Sequence, residues 1–521
     1  MPSISGINRR QFLVGTAAAA AAFSLSSGLA FGASAKRGGT LRVSVDQAMA
    51  KLNPLIARVT PEYLVSELLY SGLTRLGEGM LPVPDLAESW SSNPELTVWT
   101  FKLRQGLVFH DGSSCTSTDV VASFVAIRDA KTGSPGRQNV GPIDKVRALD
   151  AHTVEFTLSA AYVDFPTALA FPNAKVVPAA ILQSNPGALT RTAVGTGPFK
   201  LTSFHPDRVI TMVRNEKYWD PSRPYLDGIE IRVYPDPAAE GSALLSGDID
   251  LMTLVRPTEF ARLKDAPDVQ ALRMPSGQFC NVNMGCNQKP FTDPRVRQAL
   301  ALTIDRKVMV DFVAEGYGQP GNDSPISSAF NFYAPSQLKK PNIATAKRLL
   351  ADAGYPNGVD LTLIASDSPA IRTQMAVAMA EMARPAGFRI SVQTMPHATY
   401  LEQVWKKGAF YVGYYTMQPT VDSVFSLLYT STAAWNETHW NNKEFDQLVI
   451  KARGTADNAQ RQELYSKAQQ MMEDDVPSII PVFFDILRAK RPNVHGYKIH
   501  PRGLVFRLDY VWLDDSLKAS A

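Results

Sequence analysis

Between residues 360 and 395 a strand, a helix and a second strand follow one another, at 360–366, 371–386 and 389–395. Two strands joined through a helix within one sheet run parallel, and the crossover is right-handed. The carboxy-terminal half of the chain is therefore predicted to be α/β. That half opens with the best-marked helix in the sequence: Asp293 as N-cap, Pro294 at the first helical position, Val296, Leu300, Ile304, Val308 and Phe312 facing inward, and Gly316 as terminator. A second helix at 344–353 stops at Gly354 and Pro356, and helices at 444–453 and 458–475 precede a strand-like tail.

The first half reads differently. Period-two strands are predicted at 40–45, 97–104, 153–158, 209–215 and 228–234. In the second of these Trp99, Phe101 and Leu103 share one face, as a half-buried sheet requires. A chain of 521 residues needs two or three domains, yet no repeat and no long Gly/Ser- or Pro-rich linker separates them.

Composition excludes several classes of function. Hydrophobic residues at 45% and charged residues at 20% are the balance of a globular protein. Lys and Arg number 53 against 49 Asp and Glu, or 51 against 49 once two leader arginines are set aside. The longest basic clusters are pairs such as Lys339–Lys340 and Lys406–Lys407, so no nucleic-acid partner is expected. Cys115, Cys280 and Cys286 are too few for a disulfide framework. Cys280 and Cys286 lie in an extended stretch where six residues span about 20 Å, beyond disulfide reach, so three free thiols are expected.

The first 35 residues form a targeting segment. Arg9 and Arg10 precede an uncharged, Ala-rich run diluted by Gly15, Ser24, Ser26 and Gly28, which resembles a twin-arginine export signal and not a membrane span. Ala33, Ser34 and Ala35 give a small-x-small site, so cleavage is expected after Ala35. With no cysteine at that boundary for a lipid anchor, a free periplasmic protein exported by the twin-arginine translocase is expected.

Catalytic and cofactor motifs are missing. Gly316, Gly318 and Gly321 have G-x-G-x-x-G spacing, but they follow a helix where dinucleotide binding needs a strand. The seven histidines have no i, i+4 ligand pair, and no P-loop or G-x-S-x-G elbow is present. No enzyme, cofactor or metal site is expected.

A series of landmarks recurs in one order over nearly the whole mature chain. It includes Gly38 to Arg42 with Asn53 and Pro54, Pro84 to Trp90, Phe109 to Gly112, Gly195 to Phe199, Arg214 and Asn215 with Tyr218 and Trp219, Pro290 to Arg306, and Ala346 to Gly358. In this the chain resembles the family 5 extracellular solute-binding proteins, the dipeptide, oligopeptide and nickel receptors of ABC importers. His110 and the Gly-Thr-Gly-Pro turn among the landmarks read as structural, and Arg295, Arg297 and Arg306 either face the ligand or, as is commoner for helix arginines, form salt bridges.

The resemblance implies an α/β, two-lobed periplasmic-binding-protein fold, type II with an extra domain, enclosing ligand between lobes. Domain I would comprise 36–78, 194–284 and 484–521, domain II 79–193 and domain III 285–483. A monomer working with an inner-membrane ABC permease is implied, its ligand a peptide or else an opine, oligosaccharide or metal chelate. In the peptide receptors an acid in the segment corresponding to 413–422 pairs with the ligand's amino terminus. Here Asp422 is the acid of that segment, and it either makes that contact or caps a helix at 424–429. Tyr414, Tyr415, Thr416, Gln418 and Trp435, with Asn281 and Asn283 from an extended piece, complete the expected ligand-binding set; Tyr411 and Trp440 offer further ring surfaces.

Overall fold

A computed structural model describes residues 35–515. The leader, with Arg9 and Arg10, lies outside the described residues, and Ala35 stands at their edge.

One twelve-stranded sheet organises everything else. Ten of its strands form a continuous path: β1 (Thr40–Val45), β2 (Phe199–His205), β3 (Val209–Arg214), β4 (Gly228–Val233), β5 (Leu251–Met252), β6 (Gln270–Met284), β7 (Val359–Ser366), β8 (Phe388–Met395), β9 (Phe410–Tyr415) and β10 (Val482–Lys490). Their order is β8-β7-β9-β6-β10-β5-β1-β4-β3-β2. One half holds β1 to β5 and the other β7 to β9, with the long strands β6 and β10 shared between them.

The crossing between halves has an irregular step. Gln270 to Met274 of β6 pair antiparallel with Lys490 to Ile486 of β10. Register then shifts, and after the step β6 pairs from Phe279 to Met284 with Tyr415 to Phe410 of β9. Pro275, which lacks an N–H, and Gly277 occupy the shift. A side chain at Gly277 would place Cβ 2.3 Å from Phe330 Cε2, so the close approach itself demands glycine.

The expected crossover is present. β7 and β8 run parallel in register from Val359↔Phe388 to Ser366↔Met395, joined by α3 (Ile371–Ala383). Before it in the chain come α1 (Pro294–Ala301) and α2 (Arg306–Val313), where a single helix was expected. Asp305 accepts hydrogen bonds from the amides of Lys307 and Val308 and so caps a fresh start. The restart changes the helical phase: Val308 and Phe312 are 47% and 53% exposed, while Met309, Val310 and Val313 turn inward. Arg295 pairs with Asp293, Arg297 with Asp475 and the fully buried Arg306 with Asp323, so all three arginines are structural.

A separate four-stranded antiparallel sheet, Ala87–Ser92, Val98–Leu103, Thr153–Leu158 and Ile143–Asp150 in spatial order, lies within 79–193. Phe101, Phe124, Phe156 and Phe165 pack edge to face beneath it with centroids 5.0 to 6.1 Å apart. Each buried ring stabilises this layer by about 1.5–3 kcal/mol. His110 belongs to the same structural class, with Nε2 3.1 Å from the Gly197 carbonyl and burial lowering its pKa to about 4. The three cysteines are free.

Candidate functional site

In a sheet with parallel strands, ligand sites form at the carboxyl ends, where helix starts and loops converge. Here β7 ends at Ser366, β8 at Met395 and β9 at Tyr415. Arg372 lies in the first turn of α3, and α4 (His397–Gln403) starts directly after β8. These elements surround a cavity of about 180 Å³.

One wall is aromatic. Trp405 Nε1 donates to the Tyr415 hydroxyl at 3.4 Å, and Trp435 packs at 5.7 Å against Trp405 and at 6.2 Å against Tyr415. The Arg372 guanidinium sits 5.2 Å from the ring of Tyr400 and 5.9 Å from that of Tyr414. Arg372 is 7% exposed, and its Nε and Nη1 have no hydrogen-bond partner. A buried cation left this way is costly unless an anion reaches it. His397 is held through Nδ1 by Ser366 Oγ at 3.0 Å, and burial and then the nearby Arg372 lower its pKa.

The floor is polar. Asn281 and Asn283 on β6 lie opposite Gly413 and Tyr411 of β9. Asn281 Nδ2 donates to Asn283 Oδ1 at 2.7 Å, and Asn283 Nδ2 donates to Glu437 Oε2 at 2.9 Å. Glu437 is buried, and burial pushes its carboxyl up to about 7.

Among the expected residues, Tyr414 and Tyr415 line the cavity, Trp435 backs its aromatic wall, and Asn281 and Asn283 support Glu437. Thr416 and Gln418 lie beyond it, in the segment between β9 and α5 (Val421–Leu428). In that segment the Met417 carbonyl accepts from Arg502 Nε at 3.4 Å, and the Met417 sulfur accepts from the amide of Gly277. The cavity rim is thus tied both to the strand crossing and to the other half. Pro419 and Thr420 also border a larger cavity of about 540 Å³, which Met80, Asp164 and Thr167 of the other half line as well.

Asp422 departs from both expectations. The helix starts earlier than residue 424, and Thr420 is its N-cap, accepting from the Ser423 amide at 3.1 Å. Asp422 is buried in the first turn, where Arg453 Nε donates to it at 3.0 Å. Trp440 is likewise core, its indole N–H on Asp475. Missed from the sequence were Arg372, His397, Tyr400, Trp405, Gly413 and Glu437. The interior glycine of β9 and the position of Arg372 just past a parallel strand were the available signals.

Residues 82–437 match the family described as bacterial extracellular solute-binding proteins, family 5 Middle. The chain belongs to this family. It is the solute-binding component of an ABC importer, periplasmic and non-catalytic. Glutathione-binding protein GsiB of Escherichia coli O157:H7 is 28% identical over 472 residues, 88% of this chain and 92% of that one. The solved structure of the binding protein AgaA with agropinic acid, from A. tumefacien R10, superposes with a TM-score of 0.79 at 27% identity, covering 91% of this chain and 99% of that one. DppA from Helicobacter pylori, in complex with the peptide STSA, shares the fold with a TM-score of 0.78 at 24% identity, over 92% and 98% of the two chains. No group of three or more His, Cys, Asp and Glu that could hold a metal occurs among the described residues, nor a helix long and apolar enough to cross a membrane.

Proposed function

We propose that this family 5 receptor captures a short peptide, with the ligand's carboxylate on Arg372 and a side chain against Trp405, Tyr415 and Trp435. The observation that carries this reading is the buried Arg372 guanidinium with two unpartnered nitrogens inside an aromatic cavity. A guanidinium suits a carboxylate because two parallel N–H···O bonds match its geometry. The relatives support peptide chemistry, since one is named for glutathione and another was solved with a tetrapeptide. The complex of AgaA with agropinic acid supports an opine as the second reading, because an acid of that kind would use the same guanidinium.

Capture works by closure in this proposal. β6 and β10 act as the hinge at Pro275–Gly277, within the domain division 36–78, 194–284 and 484–521; 79–193; 285–483. Contacts across the halves, Arg461 with Asp164 at 2.5 Å and the Val163 amide with the Arg453 carbonyl at 2.9 Å, hold the closed form. Ligand that touches both halves only when they are closed shifts the population toward that form. Export by the twin-arginine translocase through Arg9 and Arg10, with cleavage after Ala35, belongs to the same reading, as does a cognate ABC permease as partner.

The test is small-angle scattering of the mature protein with a panel of di- and tripeptides and, separately, an opine panel. Compaction with peptides, abolished in R372A, supports the proposal. Compaction with opines alone selects the second reading, and compaction with neither rejects both.

A further inference from the structure

The turn that carries Trp405 is held from the sheet beneath it. Lys406 adopts φ +65°, a left-handed conformation that a lysine rarely takes, so this turn between α4 and β9 needs an outside hold. Two tyrosine hydroxyls of β9 supply it. Tyr411 accepts the Lys406 amide at 3.0 Å, and Tyr415 accepts the Trp405 indole N–H at 3.4 Å.

Each hydroxyl has a single proton, and both donate it to Glu437. The same buried carboxylate takes Asn283 Nδ2 at 2.9 Å and Asn281 Nδ2 at 3.5 Å. An ionised carboxylate only accepts, so it suits this ring of donors and leaves the tyrosine lone pairs free for the turn. Protonated Glu437 has an O–H to place among the same donors. Placed on either tyrosine, that O–H occupies a lone pair and turns the hydroxyl's own proton back toward the N–H groups of the turn.

We propose that Glu437 is a positioning residue for specificity: as a carboxylate it orients the hydroxyls of Tyr411 and Tyr415, these fix the Trp405 ring, and the preference for ligands with an aromatic side chain is lost when Glu437 takes up a proton. This deepens the reading above and rests on it for the nature of the ligand, whereas the coupling of Glu437 to Trp405 stands without it. Burial sets the Glu437 carboxyl at about 7, so the preference is full above neutral pH and falls below it. The other titratable groups around it stay out of that range. Burial raises Tyr411 and Tyr415 on β9, Tyr400 on α4 and Tyr429 after α5, and pushes the Cys280 thiol on β6 up to about 12. Across the cavity stand Arg372 and His397, the latter held below its ordinary 6.5.

The experiment follows the Trp405 indole N–H resonance of the mature protein without ligand, assigned with W405F, between about pH 5.5 and 8.5. In wild type it is expected to move with a midpoint at about 7, and in E437Q to stay fixed. Y415F, which keeps the carboxylate but cuts its link to Trp405, should also stop the movement and so covers an unstable E437Q. A wild-type resonance that ignores pH, or a variant that titrates like wild type, overturns the proposal. Calorimetry over the same range compares dipeptides carrying phenylalanine with their alanine counterparts. The wild-type preference for phenylalanine should be about tenfold greater at the alkaline end than at the acid end, the worth of about one hydrogen bond, while both variants keep the acid-end preference throughout. A wild-type preference independent of pH overturns the specificity role. A titrating Trp405 without binding of any peptide supports the coupling and overturns the peptide reading, and with it the aromatic preference.

Discussion

Replacing Glu437 by Gln in the empty protein should raise its stability at neutral pH, by an amount that depends on pH in a defined way. Burial holds the Glu437 carboxyl near 7, against an ordinary 4.5. In the unfolded chain the group ionises near 4.5, so between that pH and about 7 the folded protein binds the extra proton. Stability from this group is therefore fully present below about 4.5, falls as pH rises, and levels off above about 7. At ~1.4 kcal/mol per pH unit the whole loss is about 3 kcal/mol. The amide introduced by E437Q cannot ionise, so the stability difference between the variant and wild type should widen by about that amount from pH 4.5 to 8. Glu240, buried against Ser44 and also raised to about 7, slopes the same way in both proteins and cancels in the difference. Urea unfolding followed by tryptophan fluorescence at half-unit pH steps measures it. Parallel curves for the two proteins would refute the reasoning, because they would mean that Glu437 is solvated or paired with a cation.

Three further outcomes follow from named contacts. D323A strands the fully buried Arg306 and should cost about 3–5 kcal/mol in urea unfolding, whereas replacing the pair with apolar side chains of similar volume should cost far less. G277A forces Cβ against Phe330 and Met417 at the strand crossing, so scattering should show an altered angle between halves and unfolding a loss of about 1–3 kcal/mol. R461A removes the ion pair to Asp164; ligand dissociation should quicken in stopped flow while the association rate changes little, since the contact forms after encounter.

The periodic parts of the fold were legible in the sequence for physical reasons. Strands at 40–45 and 153–158 and the crossover from 359 to 395 declare themselves because alternation and caps are local. The break between α1 and α2 was not legible as a break, although Asp305 stood in view, because an apolar repeat can run through a restart with the wrong phase. The site was legible only in part. Tyr414, Tyr415 and Trp435 drew attention as rings, and Asn281 and Asn283 as polar groups in an extended piece. Arg372 and Glu437 carry the site's charge from segments 65 residues apart, brought together by strand order, which no local pattern encodes. Asp422 misled for the converse reason: its partner, Arg453, lies 31 residues away.

The most direct test of the central claim is native mass spectrometry of the mature protein purified from the periplasm of its own host. The expected result is a fraction carrying one bound molecule of peptide mass that bears both a carboxylate and a primary amine, and that is absent from R372A. A protein that arrives empty and that no peptide or opine stabilises, or one retaining a ligand with neither group, would contradict the account.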